Sequence, residues 1–267
     1  MEKLKAFDIF AGIGGFSYGL EKVGMRTVAF CEVDQYCQKI LKQYWPSVPI
    51  FSDINLLKYH KNHFLYDGKL PRYFTNIDID VISSSSPCTG YSVAGKKRGD
   101  KDGRSKLWKE FARLTREIRP KYCVFENSPN IRNHSMGEIL KTFDEIGYNA
   151  EWSIISAYSV GAPHQRERLY CVFWRNDIPY PNPFRSWAAD PEKEKASSWW
   201  WAKRRIKRSP VFNKAGKIEP RVLRFTDGIS EELDQTEESL KQLGNSLIPQ
   251  IPELIGRAIV ENERNKG

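Results

Sequence analysis

Short apolar runs alternate with amphipathic stretches along the first two thirds of the chain. Ala6 to Phe10 is apolar apart from Asp8 and predicts a buried strand. Ala11-Gly12-Ile13-Gly14-Gly15 follows, and Phe16 to Val23 has helical spacing. A second strand is expected over Thr27 to Cys31, ending in Glu32-Val33-Asp34. Gln35 to Tyr44 predicts a helix stopped by Pro46, and Val48 to Phe51 a short strand that leads to Asp53-Ile54. Leu56 to Asp78 has mixed polarity and yields no assignment. Asp80 to Ser83 is the next strand and runs into Ser84-Ser85-Ser86-Pro87-Cys88. Further on, a helix over Leu107 to Ile118, a strand over Tyr122 to Phe125, a helix over Met136 to Ile146 and strands over Ala150 to Ala157 and Leu169 to Trp174 are expected. The strand, glycine turn and helix at the start are the opening of a nucleotide-binding α/β unit. From Arg175 to about Gln235 the pattern changes: prolines crowd Ile178 to Phe184 and no long periodic segment appears. A last helix is expected over Ile251 to Asn262. Residues 1–174 with 242–267 therefore form one domain, and 175–241 a second, smaller and irregular one.

Composition narrows the class. The 267 residues, 40% hydrophobic, suffice for a packed core, and no apolar run is long enough to span a bilayer. The five cysteines, Cys31, Cys37, Cys88, Cys123 and Cys171, are odd in number and lack metal-ligand spacing, which fits a reduced, cytoplasmic protein without a metal site. A net charge of +9 with 13% aromatic residues suits a nucleic-acid partner, although charge alone is weak evidence.

Candidate chemistry gathers at the strand ends. Pro87 fixes its own φ and holds the preceding residue extended, so Cys88 is approached stiffly; taken alone, a half-buried structural cysteine is the commoner case. Glu32 lies about 20 residues past Gly12, the separation at which such folds place an acid on a ribose. A dinucleotide fingerprint counted from Gly12 needs a third glycine where Ser17 stands, so an adenosyl ligand without a pyrophosphate is the better match. The segment Val93 to Ser105, with Lys96, Lys97, Arg98 and Arg104, is a phosphate-seeking loop beside the candidate nucleophile, either a lid or a solvated surface. Glu126 ends a buried strand, and Arg166 and Arg168 share one side of an extended backbone. Trp199-Trp200-Trp201 next to Lys203, Arg204 and Arg205 suits a sugar-phosphate backbone with stacked bases, or a charge run beside core tryptophans.

In this order the pieces resemble the C5-cytosine DNA methyltransferases. Phe10-Ala11-Gly12-Ile13-Gly14-Gly15 looks like the cofactor loop, Glu32-Val33-Asp34 the ribose segment, Pro87-Cys88 with Tyr91-Ser92 the nucleophile motif. Glu126-Asn127 looks like the acid motif, Gln165-Arg166-Glu167-Arg168 the paired arginines, and Gly244-Asn245-Ser246 with Pro249 the closing motif. The resemblance implies a Rossmann-like, S-adenosylmethionine-dependent methyltransferase fold with a small target-recognition domain, of a compact phage, prophage or bacterial type. It implies Cys88 as the nucleophile at cytosine C6, Glu126 at N3, Arg168 at O2 and Arg166 as a nearby cation. S-Adenosylmethionine would lie over Phe10, Ala11, Gly12, Gly14 and Gly15, with Glu32, Val33, Asp53, Ile54, Pro87, Asn245 and Ser246 completing its site. Ser92, Lys96, Lys97, Arg98, Arg104, Lys203, Arg204 and Arg205 would meet double-stranded DNA carrying a flipped cytosine, and a monomer is expected. The chain departs from the family at Thr89, where glutamine is usual, at Ser83 to Ser86, where glycines are usual, and at Ser128, where valine is usual. The same chemistry on RNA, a non-catalytic DNA-binding relative and a dinucleotide oxidoreductase are the competing readings.

Overall fold

A computed structural model describes residues 2–69, 77–87, 107–162, 165–184 and 247–266. Strands β1 (Lys5–Ile9), β2 (Arg26–Cys31), β3 (Ile50–Phe51), β6 (Val81–Ser84), β7 (Tyr122–Asn127), β8 (Tyr148–Ser156) and β9 (Glu167–Arg175) form one sheet in the order β3-β2-β1-β6-β7-β9-β8. Pairings from β3 to β7 are parallel, and β9 runs antiparallel between β7 and β8. Between β3 and β6, β4 (Leu57–His60) and β5 (His63–Tyr66) make a separate hairpin.

Two apolar layers cover the sheet because alternate strand residues face opposite ways. On one face Phe7, Ile9, Ile82, Phe125 and Phe173 pack against Phe111 and Leu114 of α3 (Trp108–Ile118) and Ile139 and Phe143 of α4 (Met136–Glu145). On the other, Ala6, Val81, Val124 and Val172 meet Phe16 and Leu20 of α1 (Gly15–Lys22) and Ile251, Leu254 and Ile255 of α5 (Gln250–Arg264). Helix α2 (Gln35–Tyr44) packs Cys37, Ile40 and Leu41 against Phe30 and Trp45. Ile178 and Phe184, beyond the end of β9, belong to the same core as Trp174.

The α/β expectation holds, with corrections at the element ends. The first strand stops at Ile9, because Phe10 turns into the left-handed region at φ 55°. The third strand shrinks from Val48–Phe51 to Ile50–Phe51, the next-to-last begins two residues earlier at Tyr148, and α5 extends to Arg264. The unassigned span holds the β4–β5 hairpin, whose turn residues Lys61 and Asn62 are both left-handed. The strand order reverses between β1 and β6, and in such sheets the crevice at that switch point is where ligands bind. The elements that end there are β1 and β6, which lead into the glycine turn and into Pro87.

Candidate active site

The glycine turn is built by backbone geometry that few side chains tolerate. Phe10, Gly12 and Gly14 have φ of 55°, 55° and 88°. For Phe10, half-buried and not glycine, this is a strained conformation of the kind that collects at binding sites. The Gly14 N–H donates to Ala11 O at 2.9 Å and the Ala11 N–H to Cys31 O at 3.2 Å, which ties the turn to the end of β2. A side chain at Gly14 would stand 2.6 Å from the Trp45 ring, so the turn is backed by an indole held through Nε1 on Glu21 Oε2 at 3.0 Å.

Glu32 follows β2 directly. Its Oε2 accepts from the Gly12 N–H at 2.7 Å, and its Oε1 from the Asp34 N–H at 2.8 Å. Burial raises its pKa, and these two backbone bonds oppose the rise. Asp34 caps α2 by accepting from the amides of Tyr36 and Cys37. Beside it Val33 is 76% exposed, an apolar side chain left bare at the sheet edge. Asp53 holds the turn at Ile54–Leu56 with two bonds from Asn55, both to Oδ1, and Ile54 is buried beneath it. Among the described residues, no atom outside Gly12 and its two chain neighbours lies within 4 Å of where a Cβ on Gly12 would stand. An open backbone cradle, a carboxylate at its rim and a bare apolar surface beside it fit an adenosyl group. Leu247 returns from the C-terminal segment to within 3.1 Å of the Cβ position of Gly15, bringing the residue after Ser246 onto the turn.

Across the switch point, β6 carries the serine run. The residues after Ser84 are fastened to β7: the Ser85 hydroxyl hydrogen-bonds the Glu126 carboxylate, and Asn127 Nδ2 donates to Ser86 O at 3.0 Å and Ser86 Oγ at 3.2 Å. The backbone is therefore held from the side as well as by Pro87. Glu126, 7% exposed, accepts from Arg168 Nε at 3.0 Å. Burial drives its pKa up, while Arg168, Arg166 and Ser85 pull it back. Glu126, Arg166, Arg168 and Pro87 thus share one edge with the glycine turn, Glu32 and Asp53.

Cys88, Ser92, Lys96, Lys97, Arg98, Arg104, Lys203, Arg204, Arg205, Asn245 and Ser246 lie outside the described residues, as does Thr89. Cys31, Cys37, Cys123 and Cys171 are buried and form no disulfide among the described residues. A charged cleft of about 460 Å³ opens at the opposite sheet edge, where Asp80 and Glu263 are satisfied by Lys121 at 3.0 and 3.4 Å. No group of side chains among the described residues could hold a metal ion, and no helix there is long and apolar enough to cross a membrane. The sequence reading passed over Asp8 and gave Asn127 no role of its own. The visible signal for the first was a lone acid inside an apolar strand.

The sheet order and the switch-point turn, with Glu32 directly after β2, define a Rossmann-like α/β fold. Residues 4–214 match the C-5 cytosine-specific DNA methylase family. The chain is 35% identical over 174 residues to the Type II methyltransferase M.CviJI of Paramecium bursaria Chlorella virus IL3A, covering 65% of this chain and 44% of that protein. It is 31% identical over 190 residues to M.HhaI of Haemophilus parahaemolyticus, covering 68% and 54%. Among solved structures, a prophage-encoded E. coli protein described as a DNA modification methyltransferase superposes with a TM-score of 0.53 at 26% identity over 65% of this chain and 47% of that one. The S. pombe Dnmt2 methyltransferase shares the fold over 97% of this chain and 99% of its own, with a TM-score of 0.66 at 14% identity. The chain belongs to the C-5 cytosine-specific DNA methylase family, and it spans about half the length of M.CviJI and of M.HhaI.

Proposed function

We propose that the protein is a DNA (cytosine-5)-methyltransferase that uses S-adenosylmethionine and duplex DNA, with Cys88 as its covalent catalyst. The observation that carries this reading is the ion pair of buried Glu126 with Arg168, fastened through Ser85 and Asn127 to the strand end that leads into Pro87-Cys88. When bound, S-adenosylmethionine supplies an electrophilic methyl group; Glu32, Val33, Asp53, Ile54 and the turn from Phe10 to Gly15 would hold it, with Asn245 and Ser246 closing the site.

Cytosine C5 is too weak a nucleophile to take that methyl unaided. Addition of the Cys88 thiolate to C6 forms an S–C6 bond and moves the C5–C6 electron pair onto C5. Arg166, from its place in the family's paired-arginine motif, is the cation proposed to favour the ionised form of the thiol. Glu126, whose pKa burial raises, gives its proton or a strong hydrogen bond to N3 and accepts from the exocyclic amine. Arg168 meets the charge that grows on O2. Once C5 carries the methyl group, loss of its proton to a base reforms the C5=C6 double bond and expels the thiolate from C6. Because C6 is hidden in a stacked duplex, the base has to be flipped out, and the loop from Lys96 to Ser105 is suited to close behind it. Lys96, Lys97, Arg98, Arg104 and Ser92, with Lys203, Arg204 and Arg205, are the proposed DNA contacts.

Duplex DNA carrying 5-fluorocytosine tests the reading, since its C5 fluorine cannot leave as a proton does. The wild type should form an adduct that survives denaturation, and Cys88→Ala should form none. Methylation by the Cys88→Ala variant would remove Cys88 from the mechanism, and methyl transfer to tRNA but not to duplex DNA would overturn the substrate.

A further inference from the structure

The chemistry above leaves one buried group of the catalytic edge unused. Asp8 lies among the apolar residues Ala6, Phe7 and Ile9 of β1 and is 1% exposed. Its Oδ1 accepts from Ser83 Oγ of β6 at 2.7 Å, and its Oδ2 accepts from Ser17 Oγ at 3.0 Å and from the Ser17 N–H at 3.3 Å. Ser17 and Ser83 are themselves fully buried. An enclosed carboxylate is costly unless its hydrogen bonds are complete, and an apolar residue in its place would commonly be at least as stable.

The position of each donor gives the carboxylate a use. Ser17 is the third residue of α1, whose amide has no partner within the helix. The N-cap residue, Gly14, has no side chain to accept it. Asp8 does the capping from a neighbouring strand, so the start of α1, and with it the glycine turn, is fixed by a group outside the helix. Ser83 is the register partner of Asp8 on β6 and the first serine of the run into Pro87. One carboxylate therefore holds the helix behind the cofactor turn and the strand behind the nucleophile. Further along the run, Ser85 and Ser86 bond to Glu126 and Asn127 instead.

We propose that Asp8 is a positioning residue that couples the cofactor turn to the nucleophile strand by holding Ser17 and Ser83 on one carboxylate. The coupling rests on the methyltransferase reading. Ser17→Ala and Ser83→Ala, alone and together, test it by two measurements: S-adenosylhomocysteine affinity by calorimetry, and the rate of covalent capture of 5-fluorocytosine DNA at saturating cofactor. Residues in one hydrogen-bond network show coupled rather than additive losses. Ser83→Ala, although on the nucleophile strand, should weaken S-adenosylhomocysteine about threefold or more. Ser17→Ala, although on the cofactor side, should slow capture by a similar factor, and the double variant should lose less than the product of the two. Asp8→Asn keeps the shape of the side chain without its charge; both measurements should fall in it while its melting temperature at pH 8 does not, a split that a merely structural role would not give. Effects confined to each serine's own side, with a double variant equal to the product, would overturn the coupling. A wild type that neither binds S-adenosylhomocysteine nor captures the DNA would overturn the methyltransferase reading beneath it.

Discussion

Glu126 is held between two opposed influences. Burial keeps its proton on, and Arg168 at 3.0 Å, with Arg166 behind, pulls the proton off. A carboxyl that donates to N3 must be protonated when the base arrives, so the rate should fall as pH rises through this raised pKa. Glu126→Gln cannot supply a proton. It should lower kcat by about 100-fold or more while S-adenosylhomocysteine affinity, measured by calorimetry, stays nearly unchanged. Arg168→Met takes away a cation that lowers the Glu126 pKa. The alkaline limb of its pH–rate profile should therefore move to higher pH, even as kcat drops by a comparable factor through loss of the charge proposed to meet O2. Single-turnover methyl transfer across pH measures both, and an alkaline limb that moves down would mean the pair is not coupled in this way.

At the scale of elements, the cofactor side depends on close approaches that only glycine permits. Helices α1 and α5 touch through Gly19 and Gly256: a Cβ on Gly19 would lie 2.2 Å from the Pro249 carbonyl oxygen, and one on Gly256 would lie 2.9 Å from Val23 Cγ2. An exposed helical glycine gains about 1 kcal/mol on becoming alanine. Here the sign reverses, because the N-terminus of α5 must move away, and Leu247 moves with it off the glycine turn. Gly19→Ala should lower both the melting temperature and the affinity for S-adenosylhomocysteine. Gly14→Ala meets a left-handed φ, worth about 1–2 kcal/mol, and a clash with the far edge of the Trp45 ring. Adding Trp45→Phe should return the part of the lost stability due to the clash and leave the backbone part, as thermal unfolding of the three variants would measure. The strands and helices that make these contacts were legible because buried strands read as unbroken apolar runs and the helices carry a 3.6-residue period. The β4–β5 hairpin escaped because its turn, Lys61-Asn62, takes left-handed φ without a glycine to mark it. The glycine turn and Glu32 could be paired by spacing, whereas the bonds from Ser83 to Asp8 and from Asn127 to Ser86 join residues 75 and 41 positions apart. No local pattern contains them.

Over the described residues, carboxyl groups at the two ends of the parallel strands are shifted in opposite directions. At the edge where parallel strands begin, Lys121 bridges Asp80 and Glu263, and the Glu263 pKa lies below its usual value: burial pushes it up, but Lys266, Tyr122 and Lys121 outweigh that. At the edge where they end, Asp8, Glu32 and Glu126 are all pushed upward, in each case by burial first. Asp8 shows the consequence most plainly, since its pKa rises from 3.8 to about 7 despite three hydrogen bonds from Ser83 and Ser17. Glu32 is the charged neighbour that adds to the rise. Between those two values the folded protein keeps a proton that the unfolded chain has released, so raising the pH through that window disfavours the folded state. The contribution is fully present below about pH 4 and is lost as pH climbs through 7, and the raised pKa values of Glu32 and Glu126 act in the same direction. Glu263 works oppositely, but its window lies below its ordinary pKa of 4.5. The apoprotein should therefore melt at progressively lower temperature from pH 5.5 to pH 8, and Asp8→Asn should melt with a shallower slope over the same range. Scanning calorimetry of the two proteins across that range decides the matter: equal slopes would mean that Asp8 is already ionised at pH 5.5, and that the bonds from Ser17 and Ser83, rather than burial, set its charge.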